Sequence, residues 1–143
     1  MLSDEHFSVD GTLIEAWASF KSFKPKDGSD GSDGTNFRNQ KRGNDTHAST
    51  TDPDCRLYRK AEGREAKLCY MGHALMENRN GLAVGGIATQ ATGTAEREAS
   101  ETMLAAKVYA TGVTATVGED KAYDASEHGA NLQKIGVIPH VAR

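Results

Sequence analysis

The sequence predicts an α/β chain built on a mixed sheet of five strands, and three observations carry that expectation. Asn80-Gly81 lies between two apolar runs, and both residues tolerate positive φ, so the runs should pair as an antiparallel hairpin. Two segments with helical spacing follow, 94–112 and 124–136, each leading into a short β-rich run. A helix joining two strands of one sheet requires a parallel, right-handed crossover, so the last two strands should run side by side in one direction.

Taken in order, Phe7 and Val9 alternate with Ser8 and Asp10, as in a half-buried strand. Beyond Gly11, Leu13, Trp17 and Phe20 recur at the spacing of a helix face, so the strand is expected to break at Asp10 into a helical turn. On local pattern alone Asp10 is a favoured helix cap or turn residue. The stretch 21–66 has only 8 hydrophobic residues among 46, and a tandem Asp-Gly-Ser repeat runs through 27–34. Ordering a backbone costs roughly 1–2 kcal/mol per residue, more than so little apolar surface offsets. Residues 24–55 are therefore expected to form a flexible insertion inside one domain, 1–143, rather than a linker between two.

Leu68-Cys69-Tyr70-Met71-Gly72-His73-Ala74-Leu75-Met76 reads as an apolar strand, and Leu82-Ala83-Val84 with Ile87-Ala88 as its return. Gly85-Gly86 marks a bulge or a close backbone approach. His73, with no second ligand nearby, reads as a hydrogen-bonded structural histidine. Thr94 is placed to cap a helix, with Glu96 and Glu98 in the first turn where the helix dipole favours acids. Ala95, Ala99, Thr102, Met103 and Ala106 give that helix an apolar face, and Gly112 closes it. Residues 113–117 alternate as a strand. Asp124 stands in the capping place of a second helix, which turns Leu132 and Ile135 inward and ends at Gly136. Val137-Ile138-Pro139-His140-Val141 is the last strand, and its proline suits a position near a sheet edge.

A chain of 143 residues is long enough for one domain with one core. Hydrophobic residues make up 37% and charged residues 26%, and no apolar run approaches the ~20 residues that span a bilayer. With no basic-then-apolar signal segment at its start, a cytoplasmic location is expected. Cys55 and Cys69 lack CxxC spacing and read as free, buried or half-buried thiols, with zinc or a disulfide as alternatives. A net charge of -3 is no footprint for nucleic acid. The charge is uneven, however: 36–67 holds eight Lys or Arg against five Asp or Glu. Arg56, Arg59, Lys60 and Arg64 in that stretch suit contact with DNA phosphates, or equally a solvated loop face.

The chemistry centres on Asp10 and Asp120, each just past a short apolar run that reads as a buried strand. A carboxylate at a strand end is a fixed, hard oxygen ligand. Two of them on neighbouring strands can hold divalent ions against a phosphate, which points to metal-dependent chemistry on nucleic acid.

Four segments then match a family. They are Ser3-Asp4-Glu5-His6-Phe7-Ser8-Val9-Asp10-Gly11-Thr12-Leu13-Ile14-Glu15-Ala16-Trp17-Ala18-Ser19, Asp52-Pro53-Asp54-Cys55-Arg56-Leu57-Tyr58-Arg59-Lys60, Gly72-His73-Ala74-Leu75-Met76-Glu77-Asn78-Arg79-Asn80-Gly81-Leu82 and Asp120-Lys121-Ala122-Tyr123-Asp124. In this order and spacing the chain resembles the catalytic domain of bacterial DDE-type insertion-sequence transposases, which has a ribonuclease H-like fold. The resemblance implies that Asp10 and Asp120 are the first and second catalytic carboxylates and ligands of Mg²⁺ or Mn²⁺. Asp124 falls in the same motif but is also explained as a helix cap. It implies DNA as the partner, both element ends and target, with water nicking the element end and the freed 3′-hydroxyl then attacking the target strand. A homo-oligomer, or a mixed assembly with a full-length transposase, is the expected protein association, and the bacterial nucleoid the expected setting.

The family's third carboxylate, a Glu, lies on a helix after the fifth strand, whereas this sequence reaches Arg143 at the end of that strand. Gly85-Gly86 also stands where relatives carry a strand residue and an acid. On that reading the chain is a C-terminally incomplete, truncated transposase fragment, inactive in strand transfer. The alternative function is a non-catalytic DNA-binding remnant or a regulator of a full-length transposase.

Overall fold

The structure, a computed structural model, describes residues 5–28 and 42–142. Ser3, Asp4, the repeat from Ser29 onward, Arg38, Lys41 and Arg143 lie outside the described residues.

Among the described residues, eight strands and two α-helices follow one another: β1 (His6–Glu15), β2 (Phe23–Pro25), β3 (His47–Ser49), β4 (Arg56–Tyr58), β5 (Lys67–Glu77), β6 (Leu82–Gln90), α1 (Ala95–Thr111), β7 (Ala115–Glu119), α2 (Ser126–Lys134) and β8 (Val137–Val141). The main sheet has the order β4-β5-β1-β7-β8, with β6 also paired to β5. β1 and β5 are antiparallel: Asn78 N–H donates to His6 C=O at 3.0 Å and Ala16 N–H to Leu68 C=O at 2.9 Å. β7 lies parallel to β1, and β8 parallel to β7. A three-strand antiparallel start followed by two parallel crossovers is the ribonuclease H-like arrangement, an α/β fold with helices flanking a mixed sheet.

The hairpin forms as expected. Gly81 takes φ +68, and its N–H closes the turn onto Glu77 C=O at 2.9 Å. The fully buried Glu77 carboxylate accepts from Arg79 N–H at 2.7 Å and from Asn80 N–H and Nδ2 at 3.1 and 2.8 Å, which ties the turn to the strand end. At Gly85 and Gly86 the expected close backbone approach is not found: a Cβ would make ordinary van der Waals contact, 3.5 Å from the Leu75 Cβ in one case and 3.5 Å from the His73 carbonyl in the other. His73 is buried, with Nε2 2.9 Å from Thr89 Oγ1. Pro139 sits in β8, at an end of the sheet order.

One expected element is absent. The chain does not turn helical at Asp10, because β1 continues to Glu15. Gly11 and Thr12 disfavour a helix, and pairing with β5 gives Ala16 N–H a sheet partner, so tertiary context overrides the helical spacing of Leu13, Trp17 and Phe20. β4 is an additional short strand, antiparallel to the start of β5 through Arg56–Cys69, Leu57–Leu68 and Tyr58–Lys67.

The chain divides into two compact units. The first comprises the residues up to Thr12, Met71–Thr89 and everything from Gly93 onward. Its core gathers Phe7, Val9, Leu75, Met103, Leu104, Val117, Leu132 and Val137. On α1 the buried line is Ala95, Ala99, Ser100, Met103 and Leu104, while Thr102 and Ala106 face solvent. The second unit, Leu13–Tyr70 with Gln90–Thr92, has its own cluster of Phe23, Cys55 and Leu68, with Leu57 and Tyr70 packed against it. Here the described parts of 24–55 form the antiparallel pair β2–β3 (Phe23–Ser49 through Pro25–His47) and the loop to Cys55. Cys55 and Cys69 are free and buried, and burial pushes both thiols up from their ordinary pKa.

Candidate metal and nucleic-acid site

Period-two alternation decides which face of the sheet the acids belong to, Asp10 lying within β1 and Asp120 just past β7. In β1, Phe7 and Val9 are buried, so Ser8 and Asp10 belong to the opposite face. In β7, Ala115, Val117 and Glu119 are buried, so Thr116, Gly118 and Asp120, the next residue, belong to that same opposite face. The parallel register pairs His6 with Thr116, Phe7 with Val117 and Ser8 with Gly118. The pairing runs to Ser8 and Gly118, two residues before Asp10 and Asp120 in their respective strands. Both are exposed. Asp10 Oδ1 accepts from Gly11 N–H at 2.8 Å, and Asp120 Oδ1 accepts from Ala122 N–H at 2.8 Å, capping a 3₁₀ turn over Lys121–Tyr123. These bonds fix each carboxylate through one oxygen and leave the other, Oδ2, without a hydrogen bond among the described residues.

Glu119, inward of Asp120, anchors that strand end. It is buried, accepts from Ser100 Oγ at 2.5 Å, and faces His128 Nε2 at 3.0 Å. His128 Nδ1 faces Glu101 Oε1 at 2.8 Å, and Asn131 Nδ2 donates to the other Glu101 oxygen at 3.2 Å. Each ring nitrogen thus lies within hydrogen-bond distance of a carboxylate oxygen. The result ties α1, β7 and α2 together directly behind Asp120.

Two further groups border the pair. A Cβ on Gly11 would come within 2.8 Å of Glu96 Oε1, so the Glu96 carboxylate rests against the backbone beside Asp10, and a larger residue there would displace the end of that side chain. Tyr123 is buried, and its hydroxyl has no hydrogen-bond partner among the described residues. Burial, then the charges of Glu96, Glu119, Asp120 and Asp10, push its pKa up. Four carboxylates thus act on one orphaned hydroxyl.

Among the described residues, no three His, Cys, Asp or Glu side chains converge as a ready-made metal cage. Two exposed carboxylates with spare oxygens instead match what Mg²⁺ takes: one or two carboxylates, retained waters and substrate phosphate. The concentration of negative charge around the Tyr123 hydroxyl is what a divalent cation would offset. The donor set therefore fits Mg²⁺ or Mn²⁺.

The basic residues stand elsewhere, in the second unit. Arg56 is half-buried, and its Nη1 donates to the carbonyls of Pro53, Asp54 and Cys55 at 2.9, 3.1 and 3.0 Å, so this arm braces a loop. Arg59, Lys60 and Arg64 are exposed on the 59–66 connection. Asp124 is exposed and follows the 3₁₀ turn; Ala125 is the N-cap of α2, and that cap has no side-chain hydrogen bond. The sequence pattern assigned no site role to Glu96, Glu119, Tyr123 or His128. Glu119 did carry a signal, since an acid stands in the inward phase of an alternating strand.

No family model matches the chain, and no curated protein matches it. Among solved structures, it is similar to a piggyBac transposase in a synaptic complex with hairpin DNA, with a TM-score of 0.48 and 13% identity over 95% of this chain and 22% of that one. At that score the fold assignment stands on strand order and direction alone. No helix among the described residues is long and apolar enough to cross a membrane.

Proposed function

We propose that this chain carries the two-aspartate part of a metal-dependent DNA phosphoryl-transfer centre, of the kind used by insertion-sequence transposases. One observation supports the reading: β1 and β7 pair in parallel up to Ser8 and Gly118, two residues before Asp10 and Asp120, and each of these carboxylates has an uncommitted oxygen among the described residues. Asp10 and Asp120 would hold Mg²⁺ or Mn²⁺. When bound, such ions supply charge stabilisation to the attacking and leaving oxygens of an in-line displacement at phosphorus. The protein's own part is positional. The Gly11 and Ala122 amides orient the two carboxylates, and the Glu119–His128 tie holds the end of β7. DNA is the substrate on this reading, and exposed Arg59, Lys60 and Arg64 supply phosphate contacts that do not read sequence.

The test combines Mn²⁺ binding by calorimetry with nicking of a supercoiled plasmid in Mn²⁺. Asp10→Asn and Asp120→Asn, both at exposed positions, should each keep the fold, weaken Mn²⁺ binding at least ten-fold and abolish nicking. Mn²⁺ binding of equal strength in the double variant would remove the basis of the proposal. DNA binding without nicking, in a parent chain that does bind Mn²⁺, would favour the non-catalytic DNA-binding reading.

A further inference from the structure

Trp17 is the chain's only tryptophan, and it is 97% exposed. A ring of that size is highly buried on average, so a fully solvated one requires a reason. Three residues on, Phe20 is 49% exposed, and its ring lies 6.1 Å from buried Phe23, which stacks on His47 at 5.4 Å. Phe20 is therefore propped from behind, while its outer face stays open. Between and beyond these rings stand Lys21 and Lys24, both exposed, and neither is ion-paired among the described residues. The nearby acid Glu15 is already paired with Lys67. All of these residues belong to the second compact unit.

We propose that residues 17–24 form a stacking platform for single-stranded DNA, with bases on Trp17 and Phe20 and phosphates on Lys21 and Lys24. The combination of residue types selects the occupant. Unstacked bases present π-faces to aromatic rings while a cationic track follows the backbone, and that pairing is sequence-tolerant. A duplex keeps its base faces covered. A protein partner fits less well, because lysine is depleted at the cores of protein interfaces. The proposal rests on the nucleic-acid part of the reading above and not on the metal site.

The sole tryptophan makes the test direct. The full chain, in EDTA, is titrated with a 20-nucleotide oligo(dT) while tryptophan fluorescence and the anisotropy of a labelled strand are read together. Saturable quenching that tracks the anisotropy is expected. Trp17→Ala should weaken binding roughly ten-fold or more, and Trp17→Phe much less. Lys21→Ala and Lys24→Ala should each lower the salt slope by roughly 0.7. Anisotropy that reports binding while Trp17 fluorescence stays unchanged, or a Trp17→Ala variant of equal affinity, overturns the platform alone and leaves the DNA reading standing. No binding in either signal overturns both. Equal quenching by a 20-base-pair duplex refutes single-strand selectivity. A Trp17-dependent dimer in sedimentation that oligo(dT) does not dissociate assigns the surface to a second copy of the chain instead.

Discussion

Replacing His128 by alanine probes the buried tie behind Asp120. The imidazole side chain is 1% exposed and the Glu119 carboxylate 0%, so removal of the ring strips a buried acid of one of its two partners and leaves only Ser100. Breaking a buried pair from one side costs roughly 3–5 kcal/mol, because the remaining charge stays desolvated. The second contact, to Glu101, adds little, since that side chain is 27% exposed and solvent screens it. An expected loss of about 4 kcal/mol compares with a total stability of roughly 5–15 kcal/mol for a typical domain. With a urea m-value of roughly 1–3 kcal/mol/M, the midpoint should fall by about 2 M at pH 7. Glu101→Gln, at the outer end of the network, should cost at most about 1 kcal/mol. A urea titration followed by far-UV circular dichroism measures both variants. A His128→Ala unfolding free energy within about 1 kcal/mol of the parent's, at unchanged slope, would show that Glu119 does not depend on the ring.

Glu77 gives a pH dependence of defined sign. Burial by itself would raise its pKa, but hydrogen bonds from Asn80 and Arg79 prevail and hold it below the ordinary carboxylate value. Its contribution to stability is therefore present above the ordinary carboxylate range and is lost as pH falls through the depressed value. Glu77→Gln should lower the urea midpoint at pH 7 and flatten the acid limb of a midpoint-against-pH curve between about pH 3 and 6; an unchanged limb would refute this. Cys55 and Cys69, buried with raised pKa values, should label slowly with a thiol reagent at pH 8 in the native chain and fully in denaturant. Rapid native labelling of either would contradict their packing.

The hairpin was legible because its determinants are local: Asn80-Gly81 has the turn chemistry, and the flanking strands carry their own pattern. The two parallel crossovers were legible for the same reason, as α1 and α2 each carry a helical apolar pattern and lead into a β-rich run. The segment after Asp10 was misleading because Leu13, Trp17 and Phe20 imitate a helix face, yet Trp17 faces water and Ala16 bonds to Leu68. No local rule reveals a sheet partner so distant in sequence. The parallel pairing of the strands that carry Asp10 and lead into Asp120 was legible because both strands alternate, although β1 runs past Asp10 to Glu15. Glu96 was read as a dipole-favoured acid of a helix first turn, and its rest against Gly11 depends on how α1 crosses β1, which spacing does not encode. β4 escaped notice because three residues, Arg56-Leu57-Tyr58, are too few for a period to show.

Glu119 and Asp120 are adjacent in the chain and do opposite things, since one is locked inside and the other is offered to solvent. A single-codon deletion within 115–118 would turn the pleat by half a period and exchange them. The molecule would then bury Asp120 and expose Glu119. Small insertions or deletions here should therefore be far less tolerated than point changes on the outward positions Thr116 and Gly118.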